Sequence, residues 1–426
     1  MSVETLETKE MMKQTQADEF SASVVPQSER KSFRNILVIA LGYVFVVTSM
    51  QVGGSIGVAL NFKDAFGAIL LSSVILAVLA SIMGIIGTKS GLTFGLLSKY
   101  TFGEAGTWVP VVIVALTTVG WFSIDAYLIG STTNALWKNI PIFPIAILGG
   151  IGMTITALKG VKWMSLLADI AVPLIVIFGV ISMVMAVNSV GGVQGMMNAV
   201  QQDTMTFAKA VSLGVGSFAV GAVMFTPDIT RFSKGMSQTI LAMVITMVLG
   251  NSFVVFMGTI GAMATGNGDI AQVLAIQGLL APAFLVMLLN IWSTAQGCVY
   301  SGSLSLSSAT KISRAKLVIA FGAVGIVFAL IGFYNLFGSY INFLASTVPP
   351  LAGIFFADYL FLFKNGYPDF DKIKLPKVNI GSFVAWIAGF LVSYISIGLP
   401  VVNAVVAAFI VKAVLCKAIK ADAIKQ

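Results

Sequence analysis

The sequence predicts an all-α integral membrane protein of twelve transmembrane helices, and three observations predict it. Hydrophobic residues make up 58% of the 426 and charged residues only 10%, where a soluble domain carries about a quarter charged. The apolar residues fall in long unbroken runs rather than in alternation, which selects helices over a barrel in a solvent that admits nothing else. The third observation is the one-sided placement of the 25 Lys and Arg residues.

Span 1 covers 35–60 and follows the basic group Arg30, Lys31 and Arg34. Span 2 (67–88) returns to Lys89 and Lys99, span 3 (106–134) leads out to Lys138, and span 4 (141–159) comes back to Lys159 and Lys162. Span 5 (163–187) leads out again, and span 6 (207–226) runs from Lys209 in to Arg231 and Lys234. Spans 7 (238–264) and 8 (280–306) reach the next basic turn at Lys311, Arg314 and Lys316. Spans 9 (314–332) and 10 (336–360) lead to Lys364, Lys372, Lys374 and Lys377, and spans 11 (379–397) and 12 (399–419) end among four C-terminal lysines. With both termini cytoplasmic, 22 basic residues lie inside, and only Lys63, Lys138 and Lys209 lie outside. That bias is the positive-inside rule, and it accounts for the net charge of +8.

Composition also excludes function classes. Residues 1–29 are polar, lack the apolar stretch of a cleavable signal and read as disordered. Cys298 and Cys416 make no disulfide framework, and the absence of histidine removes any His relay, haem ligand or His-based metal site. Glycine pairs such as Gly53-Gly54 lack the Lys-Ser/Thr context of a phosphate cradle, so ATP-driven pumping is not indicated. Paired catalytic carboxylates are missing, and nothing in the sequence supports an enzyme or a resident cofactor.

Two interruptions carry information. Span 1 holds Ser49-Met50-Gln51-Val52-Gly53-Gly54, and span 6 holds Gly214-Val215-Gly216-Ser217-Phe218-Ala219-Val220-Gly221. Such glycine runs mark places where a membrane helix breaks and offers backbone groups to a ligand or ion. Two of them five spans apart fit a five-plus-five inverted repeat with the site at the breaks. They equally fit glycines that let helices pack closely.

Two carboxylates read as lying well inside spans, Asp125 in span 3 and Asp169 in span 5. Asp125 stands one turn after Trp121, on the same helix face. A flat heterocycle suits that pair, stacking on the indole and donating N–H groups to the carboxylate; a packing role for Asp125 is the alternative. Asp169, about two turns from Lys162, reads as a gating or snorkelling pair as readily as a substrate contact. In span 8, Asn290-Ile291-Trp292-Ser293-Thr294-Ala295-Gln296 offers hydroxyl and carbonyl oxygens without fixed charge, which a hard cation takes. Ser and Thr in membrane helices also bond back to their own helix.

In order along the chain, Lys89-Ser90-Gly91-Leu92-Thr93, Ser98-Lys99-Tyr100-Thr101-Phe102-Gly103, Gly120-Trp121-Phe122, Val215-Gly216-Ser217-Phe218, Asp228-Ile229-Thr230-Arg231-Phe232, Gln277-Gly278-Leu279-Leu280 and Leu289-Asn290-Ile291-Trp292-Ser293-Thr294 resemble the nucleobase:cation symporter family 1, and within it the cytosine permeases. The resemblance runs from Val25 to Leu360 and more weakly to Val402-Asn403-Ala404-Val405. It implies a leucine-transporter-type fold: ten core helices in two inverted halves with discontinuous helices 1 and 6, plus two peripheral helices. It implies a symporter that imports a nucleobase, cytosine, a purine or a related pyrimidine, with Na⁺ or H⁺ by alternating access. On this sequence the implied substrate residues are Gln51, Trp121 and Phe218 with Ser217 beside it, and the reading of the residues themselves adds Asp125 and Gln296. The implied Na⁺ ligands are carbonyls of Val47, Met50 and Asn290 with the hydroxyls of Ser293 and Thr294. The chain departs from the family pattern at Asp125, where a small residue or Gln is usual, and at Ala295-Gln296-Gly297 in place of an Asn-rich stretch. A carboxylate there favours an amidine-rich or protonated ligand, so an aminopyrimidine thiamine precursor, or an organic cation with Asp125 as counter-ion, is the second reading. A channel or a receptor is the third, opposed by the helix breaks and the lack of a sensor domain.

The expected organisation is a cytoplasmic tail (1–34), a transport core (35–360) whose repeats are 35–187 and 207–360, a cytoplasmic loop (361–378), two peripheral helices (379–419) and a short tail (420–426). The protein is expected as a monomer in the cell inner membrane.

Overall fold

A computed structural model describes residues 20, 23–158, 161–310, 312–369 and 373–419, with the side chains of 161–169, 308–309 and 417–419 left aside. The chain is helical throughout the described residues, whose one β-type pairing is an isolated bridge between Lys31 and Ser233. Seven helices are long and apolar enough to cross a membrane, and an eighth counts if the bent pair Phe33–Val44 and Val47–Gly57 is one span. Shorter apolar helices cover Ile142–Leu158, Ile380–Val392 and Pro400–Cys416.

The ends of these helices follow local chemistry. Asn61 accepts from the Asp64 amide to start Phe62–Ser90, and Gly91, at φ 68°, closes that helix where a side chain would strain the left-handed backbone. Thr93 then caps Phe94–Phe102, a buried nine-residue helix in a stretch that reads as a loop in the sequence. Asp269 caps Ile270–Ile276 in the same way, and both short helices were invisible to hydropathy because neither is long enough to span.

The interruptions differ from the sequence reading. In span 1 the break lies at Phe45–Val46 rather than at Ser49–Gly54, and the two halves meet at 55°. Gly53 and Gly54 sit inside the second half, where they serve close packing. A Cβ on Gly53 would stand 1.9 Å from the Val255 carbonyl oxygen, and one on Gly54 2.1 Å from that of Gly268. Span 6 is one helix, Phe207–Thr230, widened by a π-helical turn over Gly221–Phe225 rather than broken at Gly214–Gly221. Pro227 has no N–H to give the Val223 carbonyl, and a π turn accommodates that loss. Gly214 and Gly216 again make room, for Ser72 and for the Ile341 carbonyl.

Two further expectations change. The N-terminal segment is packed from Val25 onward, with Val25 buried, its amide on the Gly91 carbonyl, and Arg30 donating to the carbonyls of Thr88 and Ser233. Lys412 is no loop charge but is buried and paired with Asp358 at 3.0 Å. Asp358 is therefore a buried carboxylate that the sequence reading missed, while the side chain of Asp169 lies outside the described residues.

Candidate functional site

The break in span 1 opens a cavity of about 370 Å³ between spans 1, 3, 6 and 8. Asn290 holds the break open from span 8. Its Oδ1 accepts from the Val47 amide at 2.8 Å and its Nδ2 donates to the Phe45 carbonyl at 2.8 Å. The Val46 amide turns to the Val44 carbonyl, so the carbonyls of Gly42 and Tyr43 lose their helical i+4 donors. Gly42 and Tyr43 both line the cavity, where freed backbone groups are tolerable.

Span 3 contributes Trp121, which stands edge-on to Tyr340 with ring centroids 5.6 Å apart and edge-on to Phe337 at 6.4 Å. Tyr340 is fixed in turn by its hydroxyl on the Thr117 carbonyl, and Gly120 leaves room for its ring. Span 6 contributes Ser217, Phe218, Gly221 and Phe225. The Phe218 ring lies over Gly221, where an added Cβ would stand 2.4 Å away. Phe225 faces Tyr43 at 6.0 Å, and Tyr43 shares a 2.8 Å hydrogen bond with Ser301. Span 8 presents Ser293, Thr294, Gly297 and Cys298, a spacing that puts all four on one helix face.

The lining is aromatic and hydroxylic. It contains no Asp, Glu, Lys or Arg. Its volume lies within the ~300–1,000 Å³ usual for small-molecule pockets. Four rings and a few neutral hydroxyls suit an uncharged, flat, hydrogen-bonding molecule.

Of the six expected substrate residues, Trp121, Ser217 and Phe218 face this cavity and three do not. Gln51 is turned to the opposite side: its Nε2 donates to the Gly268 carbonyl at 3.1 Å and its Oε1 accepts from the Ile270 amide at 3.1 Å. It thereby fastens the Ile270–Ile276 helix and the loop before it, which Asp269 ties further through the Tyr334 hydroxyl at 3.1 Å. Asp125 and Gln296 are both 0% exposed and, among the described residues, neither has a hydrogen-bond partner. An ionised carboxylate at mid-bilayer costs at least ~2.5–3.5 kcal/mol, and an unbonded buried amide about 1–3 kcal/mol. Asp125 is buried one helical turn from Trp121 and is not part of the cavity lining.

The expected Na⁺ ligands divide likewise. Ser293 and Thr294 line the cavity, and the Ser293 hydroxyl donates to the Asn290 carbonyl at 2.9 Å while keeping its lone pairs for a cation. The Thr294 hydroxyl has no protein partner among the described residues. Val47 and Met50 belong to the helix after the break, and the Met50 carbonyl lies against Gly258, where an added Cβ would be 2.0 Å away. Asn290 is committed through its side chain to the break. Among the described residues no three His, Cys, Asp or Glu side chains converge. Any cation here must be one that accepts neutral oxygens.

Sequence reasoning missed Tyr43, Thr48, Phe225 and Cys298, which complete the lining. Cys298 was within reach, since it follows Thr294 by one helical turn. Tyr43, Thr48 and Phe225 were not, because the position of the break and of the π turn decides which way they face.

A profile for the family "Permease for cytosine/purines, uracil, thiamine, allantoin" matches residues 24–417. The cytosine permease of Escherichia coli strain K12 is 34% identical over 391 residues, covering 92% of each chain. Among solved structures, the inward-facing conformation of Mhp1 superposes with a TM-score of 0.83 at 19% identity, covering 94% of each chain. The closed conformation of Mhp1, a nucleobase-cation-symport-1 family transporter with bromovinylhydantoin bound, gives 0.81 at 19% identity over 94% of this chain and 95% of that one.

Proposed function

The chain belongs to the permease family for cytosine, purines, uracil, thiamine and allantoin, a transporter and not an enzyme, and on that footing we propose that it is a secondary active symporter that imports a neutral nucleobase with Na⁺ or H⁺ by alternating access. The single observation that carries this reading is the cavity wall: aromatic faces from spans 1, 3 and 6, hydroxyls from spans 6 and 8, and no ionised side chain. Trp121 and Phe218 hold the ring by stacking, and Ser217 with the free carbonyls of Gly42 and Tyr43 reads its edge. A cationic cargo is disfavoured, because Asp125 stands behind the wall and reaches no ligand in the cavity. An aminopyrimidine thiamine precursor remains within the same class of neutral ring.

Val38 and Ile39, which line the cavity from the N-terminal half of span 1, support a mouth on the cytoplasmic side under the positive-inside assignment. The opposite side is covered by the Ile270–Ile276 helix, held down by Gln51. This arrangement fits an inward-facing state of a twelve-span, leucine-transporter-type protein, monomeric in the cell inner membrane with both termini cytoplasmic. Na⁺, if it is the coupling ion, takes the hydroxyls of Ser293 and Thr294 with carbonyls beside the break.

A thermal-shift screen of purified protein tests this reading, since a ligand that binds only the folded state stabilises it by mass action. Cytosine, adenine or an aminopyrimidine should raise the midpoint, and spermidine should not. Thr294→Ala should abolish any extra stabilisation by Na⁺ while the protein still expresses. Na⁺ stabilisation unchanged in that variant would remove Ser293 and Thr294 from the ion site.

A further inference from the structure

Asp125 lies in span 3 one turn from the cavity-lining Trp121, and its surroundings give it nothing to do as an anion, whereas Asp228, near Tyr43, is held by the Phe94 amide. It is 0% exposed, and both carboxylate oxygens lack a hydrogen-bond donor among the described residues. Of the described helices packed against span 3, Arg314–Leu330 alone carries basic side chains, Arg314 and Lys316 in its first turn. Ile142–Leu158 and Ile270–Ile276 contain no ionisable residue. Cys298 of Leu280–Ala309 and Tyr340 of Phe337–Thr347 are electrostatic neighbours of Asp125, and the Tyr340 hydroxyl is already committed to the Thr117 carbonyl. Arg314, over the Tyr300 ring, and Lys316 lie about two to three turns from Gly325, the residue of that helix against Phe122, and Asp269 is bonded to Tyr334. The carboxyl is thus sealed from water while standing one helical turn from Trp121 of the cavity wall.

We propose that Asp125 is a proton-binding site that takes up one proton from water on the outer side and releases it to water on the inner side in each cycle, so that a proton travels with the nucleobase. The step balances without any other reactant. The carboxylate gains a proton where the site is open to outside water, stays a neutral acid in the sealed arrangement described here, and loses that proton when the wall between it and the cytoplasm-facing cavity opens to water. A sealed, partnerless carboxyl crosses most easily when neutral; the empty carrier returns with the carboxyl deprotonated, and water filling the vacated cavity offsets the cost of its charge. The inference rests on the nucleobase reading above and adds the identity of a coupling ion to it.

The test uses full-length protein in proteoliposomes without Na⁺, with radiolabelled cytosine as probe and adenine as a second. An inside-alkaline pH gradient should raise wild-type accumulation at least tenfold, and a protonophore should abolish the rise. Asp125→Asn should lose that drive yet still exchange labelled for unlabelled base, a partial reaction that moves no net proton, and Asp125→Glu should keep the drive. Wild-type accumulation that follows a Na⁺ gradient but ignores the pH gradient, or an equal pH response in Asp125→Asn, overturns the proposal. Should Asp125→Asn fail to fold, wild type alone decides: cytosine entering down its own gradient must alkalinise the external medium, and an unchanged external pH overturns the proposal. A wild type that exchanges neither base overturns the nucleobase reading itself, and the proton site with it.

Discussion

On the proposed reading, recognition rests on Trp121, Phe218 and the residues that fix their rings. Losing a base–aromatic stack costs about 1–3 kcal/mol, so Trp121→Ala should weaken nucleobase affinity about 5- to 150-fold in equilibrium binding, and Trp121→Phe should keep much of it. Affinity unchanged in Trp121→Ala would move the substrate elsewhere. Asp125 gives the complementary result. Because it stands behind the wall, Asp125→Asn should change the affinity for a neutral base by less than tenfold. A bound cation balanced by Asp125 would instead lose about 3–5 kcal/mol on removal of its counter-charge. Trp121 and Asp125 were legible in the sequence because helical spacing alone puts them on one face. The sequence could not show that the indole reaches the cavity and the carboxyl does not, since one turn of separation along span 3 carries the second residue into the contact with span 8. Gln51 was misplaced for a similar reason: the lid residues that bind it, Gly268 and Ile270, lie 217 and 219 positions away.

At the scale of elements, the decisive feature is the break at Phe45–Val46, and its position is set from outside span 1. Asn290, 243 residues from Val47, satisfies a donor after the break and an acceptor before it. Asn290→Leu leaves both buried groups unpaired, so a loss of about 2–4 kcal/mol follows from the cost of unmade hydrogen bonds, read as a fall in the unfolding midpoint. A midpoint unchanged within error would mean that the break holds itself. Glycine substitutions separate packing from flexibility. Gly53→Ala should prevent stable folding, because its Cβ would collide with backbone at Val255, whereas Gly338→Ala meets nothing within 4 Å and should be neutral or stabilising by up to about 1 kcal/mol. Span limits were readable to within a few residues from hydropathy: span 3, expected at 106–134, is the Trp108–Leu136 helix. The break was not readable, because glycine-rich sequence serves both close packing and discontinuity, and only the position of Asn290 distinguishes them.

For the whole molecule, the polar node around Asp358 ties the last two helices to the core. Lys412 bridges Asp358 at 3.0 Å and Ser382 at 2.6 Å, Cys416 donates to Asp358 at 3.3 Å, and Ser382 donates to the Thr101 carbonyl. Four separate helices meet there. Lys412→Met strands a buried carboxylate and should cost about 3–5 kcal/mol, and pairing it with Asp358→Asn should recover part of the loss; equal midpoints for single and double variants would show that the pair is not coupled. Lys412 was hidden in the sequence among C-terminal lysines that count toward topology, and burial alone separates it from them. The central claim concerns what the assembled core carries: an uncharged base in a cavity without ionised walls. Uptake of radiolabelled cytosine or adenine by cells that lack their own base permeases, with unlabelled bases and spermidine as competitors, tests it most directly. Saturable accumulation that other nucleobases suppress and spermidine does not is the expected result. Accumulation of labelled spermidine, with cytosine, adenine and the other bases neither taken up nor competing, would contradict it.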